Sequence, residues 1–306
     1  MSARMSRFEG LLQLVRVSLA PTAIADALCG LVLGGVVLGA SFDAGIALCA
    51  PLASLCLLHG GLALNDFADR AADRLTRPSR PLVSGAVSPG VAFAVGATLI
   101  ATGLGAAAFV GEQALLFATA LVVAIVGYDF AGRGPLLGPL LLASCRALDL
   151  LLAAAIGAAA AGVALPRAVA LPALVYGLYV FVVARLGRLE DDFEREPGAR
   201  PRVFLVVAST VLVAAPAATF TIAPPAPLHV VAFALVALAA LAPLRVAAAQ
   251  RTFTHGDVAR AMGLLLRRLA VLMAAFACAL GEPLVAAAIV ALLPFAVVLR
   301  RRFPPS

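Results

Sequence analysis

Apolar stretches of about 17 to 25 residues recur along the chain, broken by short segments where arginine, aspartate, glycine and proline collect. A helix needs about 20 apolar residues to cross roughly 30 Å of hydrocarbon. By that measure, spans fall at 17–40, 45–64, 90–110, 113–128, 136–162, 168–186, 203–222, 228–248, 261–280 and 283–299. The pattern predicts an all-α polytopic membrane protein: a single bundle of nine or ten transmembrane helices around a central cavity, with residues 1–306 forming one transmembrane domain.

The distribution of positive charge arbitrates between nine spans and ten. With the amino terminus inside, the inner segments carry Arg4 and Arg7, Arg70 to Arg80, Arg133, Arg188 to Arg202, Arg251 to Arg260, and Arg300 to Arg302. The outer connections carry only Arg167. Ten crossings satisfy every loop, whereas nine strand the last arginine triplet outside unless one of the final two segments is re-entrant. Ten is therefore the expectation, in a multi-pass protein of the cell membrane whose polar loops lie on the cytoplasmic side.

Composition agrees. Hydrophobic residues make up 63% of the 306, tryptophan is absent, and mean hydropathy is +1.06. The net charge of +7 comes from 23 arginines and no lysine. In such a chain that balance fits membrane orientation and anionic substrates, and no nucleic-acid partner is expected. No obligate protein partner is expected either. The five cysteines are scattered in apolar runs without C-x-x-C spacing, so they read as small buried hydrophobes and imply neither disulfides nor zinc. Arg4 and Arg7 before an apolar run mimic a signal peptide, but the run is long and reads as a retained first helix.

Against this apolar background stands Leu64 to Ser88, LNDFADRAADRLTRPSRPLVSGAVS. At 100° per residue, Asn65, Asp66, Asp69 and Asp73 fall within an arc about 100° wide. Carboxylates on one face repel one another, and a divalent cation would remove that penalty. Oxygen donors suit Mg²⁺, which is commonly held by one or two carboxylates together with substrate phosphates. Pro78 and Pro81 stop the helix, and the turn delivers Arg77 and Arg80, planar cations suited to phosphate oxygens. Carboxylates for a metal followed by arginines for phosphate read as a magnesium–diphosphate site.

This stretch resembles the first aspartate-rich motif of the UbiA-type membrane prenyltransferases, through Asn65, Asp66, Asp69, Arg70 and Asp73 and then Arg77, Arg80, Pro81, Ser84 and Gly85. The resemblance implies a helical membrane enzyme that moves an isoprenoid chain from a polyprenyl diphosphate to a small-molecule acceptor, with Mg²⁺ bridging aspartates and diphosphate. Members typically have nine helices, so a tenth departs from the pattern. At the end of the sixth span, Arg188, Leu189, Glu190, Asp191, Asp192, Phe193, Glu194, Arg195 and Glu196 occupy the place of the family's second motif, commonly D-x-x-x-D. Here that spacing is met by Glu190 with Glu194 or by Asp192 with Glu196, not by two aspartates. The polar opening of the first helix, a Gly-Pro-Leu-Leu stretch before Cys145 and Arg146, and an extra final segment are similar to the EboC-like branch.

The expected metal ligands are thus Asp66, Asp69, Asp73, Glu190, Asp191 and Asp192, the five aspartates among them being the catalytic set. Asn65, Arg77, Arg80, Ser84, Arg133 and Arg188 are expected at the substrate's polar end. Asp26, Arg146 and Asp149 are expected around the chamber, because ionisable residues inside a span are functional candidates by default. Arg146 and Asp149, three residues apart, can form a local ion pair. His59 stands two turns before Asp66 on nearly the same face; His229 and His255 are unassigned. No dependable general base is visible, and Asp26, Asp149 and His59 are the groups able to take a late proton.

Two other functions fit parts of the pattern. A CDP-alcohol phosphotransferase also uses aspartates and Mg²⁺, but needs D-G-x-x-A-R, which is absent. A secondary transporter of an amphiphilic metabolite suits the topology and the intramembrane charges, yet gives no reason for acidic clusters at two span ends on one face.

Overall fold

The computed structural model describes residues 6–131, 134–190 and 195–303. Helix α1 (Arg7–Leu14) starts from a capping box in which the Glu9 N–H donates to the Ser6 hydroxyl and the Ser6 N–H donates back to the Glu9 carboxylate. A corner at Val15 and Arg16 and one 3-10 turn (Val17–Leu19) lead into α2 (Ala20–Leu33). Then come α3 (Ala44–Thr76), α4 (Pro89–Val110) and α5 (Glu112–Val126), the last continuing into a wider, π-type turn (Gly127–Ala131). α6 (Leu137–Ala160), α7 (Ala170–Gly187), α8 (Arg200–Ala214) and α9 (Pro227–Ala249) follow. α10 (His255–Leu266) and α11 (Arg268–Ala279) together make one apolar length, and α12 (Pro283–Arg302) closes the order.

Among the described residues, nine helical segments are long and apolar enough to cross a membrane; α1 and the Val17–Leu33 segment, bent by 42°, make a tenth if counted as one span. This corrects the first expected span, 17–40. Its helix ends at Leu33, where Gly34 and Gly35 halt it, and its length is recovered on the other side through α1.

Helices α2 and α6 form the seam of the bundle. Opposite faces of both enter two apolar cores, one shared with α3, α4 and α5 and the other with α7 to α12. Their backbones nearly touch: a Cβ on Gly34 would lie 2.1 Å from the Ala154 carbonyl oxygen, and one on Gly157 would lie 2.6 Å from that of Leu31. Between membrane helices, where the surrounding lipid is as apolar as the side chains, such small-residue contact supplies the packing energy.

Helix α3 runs 33 residues, about 50 Å at 1.5 Å per residue, so its acidic end reaches past a hydrocarbon layer of roughly 30 Å. Three bonds tie the ends on that side together. Asn65 Nδ2 of α3 donates to Asp129 Oδ1 in the turn after α5, at 2.9 Å. Arg185 near the end of α7 donates to the Pro135 carbonyl just before α6. The Phe253 N–H, before α10, donates to the Gly198 carbonyl, before α8, at 2.9 Å.

Candidate active site

Arg16 occupies the corner between α1 and α2 with φ 48° and ψ 54°, and is the one non-glycine residue with positive φ among those described. Non-glycine side chains pay for this left-handed conformation, and it persists where surrounding contacts hold it. One such contact is direct: Arg16 Nη2 donates to Asp66 Oδ1 at 2.8 Å. Another fixes the same corner, because Nδ1 of His59 donates to the Val15 carbonyl at 2.6 Å. His59 therefore braces α1 against α3 and is absent from the cavity wall described below.

Asp66 is 1% exposed and Arg80 is 3% exposed. Arg80 Nη1 lies 3.3 Å from Asp66 Oδ1 and also pairs with Asp73 Oδ2. Arg16, Asp66, Arg80 and Asp73 thus form a chain of alternating charge, joining the bend before α2, the end of α3 and the turn after it. On spacing alone, three carboxylates await a cation. In the folded protein two guanidinium groups already neutralise two of them. Among the described residues, no three His, Cys, Asp or Glu side chains gather into a metal cage. Even so, Asp66 Oδ2 is buried with no hydrogen-bond partner, as is Nε of both Arg16 and Arg80. An acceptor oxygen and two guanidinium donors left over at one spot fit Mg²⁺ and phosphate oxygens, since Mg²⁺ needs only one or two carboxylates when phosphates complete its shell.

The other expected residues distribute unevenly. Asn65 is engaged with Asp129, and Asp69 is half-buried on the same helix. Arg77 caps α3 through its N–H to the Asp73 carbonyl, and its side chain is exposed. The Ser84 hydroxyl donates to the Pro81 carbonyl at 3.3 Å. Arg188 caps α7, and Glu190 follows in the turn, both half-buried. Asp191, Asp192 and Arg133 lie outside the described residues.

Below this mouth a cavity of about 390 Å³ runs between α2, α3, α5, α6, α11 and α12. Its upper wall includes Arg16, Asn65, Tyr128 and Asp129, and its sides are apolar: Leu58, Leu62, Leu121, Ile125, Leu292, Leu293 and Ala296. Arg267 and Arg300 also reach it, from the ends of the last helices. At its deep end stand Arg146 and Asp149.

The deep charges pair differently from the expectation. Arg146 Nη1 donates not to Asp149, three residues on, but to Asp26 Oδ2 of α2 at 2.9 Å. The Tyr176 phenol donates to the same carboxylate at 2.9 Å. Asp149 instead accepts from the Ser54 hydroxyl of α3 at 2.7 Å. The cause is the α2–α6 seam: close backbone approach brings Asp26 within reach, and an interhelical partner satisfies both charges away from lipid. Asp26 is fully buried and supports Arg146 from behind, so it does not face the chamber as expected.

Four residues of this arrangement were missing from the expected site: Arg16, Asp129, Ser54 and Tyr176. Arg16 and Asp129 carried a signal, each being the single charge at one end of an apolar run. Tyr176 was legible only as an aromatic ring without an orientation, and Ser54 carried no signal.

Comparison with known proteins completes the picture. Residues 27–265 match the model of the UbiA prenyltransferase family. A digeranylgeranylglyceryl phosphate synthase of Methanopyrus kandleri is 35% identical over 140 residues, covering 45% of this chain and 51% of that protein, so the match spans about half the relative's length. The solved structure of a UbiA homolog from Archaeoglobus fulgidus gives a TM-score of 0.65 at 17% identity, over 94% of this chain and all of that one. A structure of a UbiA homolog from Archaeoglobus fulgidus bound to GPP and Mg²⁺ gives a TM-score of 0.60 at 18% identity, over 89% and 99% of the two chains. At such identities the structures speak for the fold, while the family model spans most of the sequence. The chain belongs to the UbiA prenyltransferase family.

Proposed function

We propose that this protein is an intramembrane prenyltransferase that moves an isoprenoid chain from a polyprenyl diphosphate to a small-molecule acceptor, with Mg²⁺, at the cytoplasmic face of the cell membrane. One observation carries the reading: the charged Arg16–Asp66–Arg80–Asp73 cluster, with donor and acceptor atoms to spare, adjoins through Arg16 a chamber with apolar sides. An isoprenoid diphosphate has that same polarity, a dense anion on a hydrocarbon tail. The relatives support the reading, one being a digeranylgeranylglyceryl phosphate synthase and another a homolog bound to GPP and Mg²⁺.

In this reading Asp66, through its spare oxygen, would hold Mg²⁺ together with Asp69, Asp73, Glu190, Asp191 and Asp192. The chemistry such an ion would supply is Lewis-acid stabilisation of the leaving diphosphate. Arg16 and Arg80 donate to phosphate oxygens where charge grows as the C–O bond of the prenyl group breaks. Arg77, Arg133 and Arg188 complete the polar end, and Ser84 shapes the turn that holds Arg80. The apolar walls exclude water from the allylic cation, and the Tyr128 ring at the upper wall offers a π face to it. The arginine-rich ends of α3, α7 and α12 support a cytoplasmic placement of the mouth.

The test uses full-length protein in detergent or nanodiscs with Mg²⁺, labelled GPP and a panel of hydroxylated acceptors. Release of diphosphate together with a prenylated product is the expected result. Vectorial uptake of a solute with GPP left intact would replace the enzyme with a transporter.

A further inference from the structure

Among the described residues, four guanidinium groups line the cavity and two of them have a carboxylate partner: Arg16 pairs with Asp66, and Arg146 with Asp26. Arg267, at the break between α10 and α11, and Arg300, in the last turn of α12, make no hydrogen bond or ion pair among those residues. They stand close enough to repel each other. Arginines at helix ends commonly do no more than orient a span, and the neighbours fit that role. Arg268 donates to the carbonyls of Ala239 and Leu264, Arg302 lies 6.0 Å from the Phe303 ring, and Arg301 is off the cavity. Arg300 instead continues the cavity stripe of Leu292 and Ala296 at four-residue steps along α12. Arg267 is exposed and Arg300 half-buried, so an anion can reach both.

Their level in the bundle decides what that anion belongs to. The Leu38 N–H, just beyond α2, donates at 3.2 Å to the carboxylate of Glu282, immediately before α12. The 20 residues of α12 then run about 30 Å back, to the end where α2 begins beside Arg16. α12 packs there on the Val17–Leu19 turn. α11 is joined to α12 by residues 280–282 and packs along it, so Arg267 stands at this same end. The turn adds another unmatched donor: Ser18 is 2% exposed and lines the cavity, and its hydroxyl has no partner among the described residues.

We propose that Arg267 and Arg300 hold the anionic group, carboxylate or phosphate, of the prenyl acceptor. The inference rests on the prenyltransferase reading above and adds to it the acceptor's charge and its anchor. The donor's diphosphate has Arg16, Arg80 and the carboxylates of α3, and a second basic pair from two other helices answers a second anion. The guanidinium fork matches carboxylate and phosphate oxygens alike. Because the pair stands at the mouth end, an acceptor anchored there keeps its reactive atom near the level where the donor's C–O bond breaks. A neutral acceptor would leave two like charges on an apolar chamber with nothing to relieve them.

The experiment measures binding of benzoate, phenyl phosphate and benzamide, which keeps the shape of benzoate without its charge. Full-length protein is used in uncharged detergent, with GPP and Mg²⁺ saturating so that the mouth is occupied, and GPP binding is titrated separately. Wild type is expected to bind both anions roughly 10-fold or more tighter than benzamide. Arg267→Gln/Arg300→Gln is expected to lose that preference and to bind GPP as wild type does. Arg267→Lys/Arg300→Lys, which keeps the charge without the fork, should fall between, and Arg301→Gln, outside the cavity wall, should match wild type. Wild type that treats the three probes alike overturns the proposal without need of any variant. So does a glutamine double variant that keeps the preference, or one that loses GPP binding in parallel, since the arginines would then serve the donor. Arg301→Gln losing the preference equally would make it a property of the whole basic rim and overturn the proposal too. If phosphatidylglycerol added to the detergent abolishes the preference, the pair belongs to lipid headgroups and the acceptor assignment falls. Wild type that prefers the anions but does not bind GPP overturns the prenyl-donor reading instead, and with it the acceptor role of the anion site that remains.

Discussion

Arg16 Nη2 lies 2.8 Å from Asp66 Oδ1, linking residues 50 apart in sequence across the corner that begins α2 and the acidic end of α3. The pair holds together a backbone conformation that only this non-glycine residue adopts among those described. It also leaves the second oxygen of Asp66 unclaimed. Structure and chemistry therefore meet at one carboxylate, and the variants that separate them are informative.

Asp66→Asn keeps the shape of the side chain and removes its charge, while Asp69→Ala alters a half-buried position on the same helix. Each is expected to lower prenyl transfer by roughly 100-fold or more while the protein stays inserted and folded. Turnover of GPP, with membrane insertion checked by fractionation, measures this. Full activity in both variants would remove the first motif from the metal site.

Arg16→Ala should have two effects at once. The corner loses the contact that holds its left-handed backbone, and the mouth loses a phosphate donor. GPP binding should weaken by roughly 10-fold or more, while Arg16→Lys, which cannot fork between Asp66 and a phosphate, recovers little of it. Binding titrations with Mg²⁺ present test the order Arg > Lys > Ala.

Removing the magnesium should stop catalysis without unfolding the protein. Asp66 and Asp73 are already matched by Arg16 and Arg80, so the fold does not depend on a divalent cation to relieve carboxylate repulsion. With EDTA, diphosphate release should cease while helicity and the melting midpoint hold; adding Mg²⁺ should restore turnover. A collapse of helicity in EDTA would mean that the ion pairs do not stand in for the metal.

The pair Arg146–Asp26 predicts a stability result. Arg146→Ala leaves a fully buried carboxylate with only Tyr176 to donate to it, and should cost about 3–5 kcal/mol. Asp26→Asn combined with Arg146→Met should cost much less than the two single changes together, because no lone charge remains. Denaturation of the four proteins in detergent gives the coupling energy directly.

The α2–α6 seam predicts another. Gly34→Ala places a Cβ 2.1 Å from the Ala154 carbonyl oxygen, so the helices must separate, at an expected cost of about 1–3 kcal/mol. Gly105→Ala in α4 meets nothing within 4 Å and should be neutral or slightly stabilising. A similar melting midpoint for the two variants would mean that the seam is softer than its geometry.

Much of this was legible in the residues, and for a physical reason. Lipid forces every backbone polar group into helical bonds, so a 20-residue apolar run has few alternatives, and Leu64–Ser88 broke that pattern plainly enough to mark one end of a site. What could not be read was partnership across helices. Arg146 has Asp149 one turn away and Asp26 a distance of 120 residues off, and spacing along one helix favours the former. Glycines 34 and 157, which look like filler in an alanine-rich run, set the approach that decides the matter. The bend at Arg16 was hidden for a similar reason: an apolar run has a length but no direction, and 17–40 satisfied the length.

The overlong α3 has a consequence for where the reaction draws its substrate. The helix is longer than the oily layer is thick by several turns, which is room enough for its acidic end to stand level with the lipid headgroups rather than among their tails. On the proposed prenyltransferase reading, a donor anchored in the leaflet would dock its anion sideways, at the depth where it normally rests, and slide only its hydrocarbon between the helices. No phosphate would then have to be dragged into the membrane's interior, which is the one transfer the bilayer would punish most.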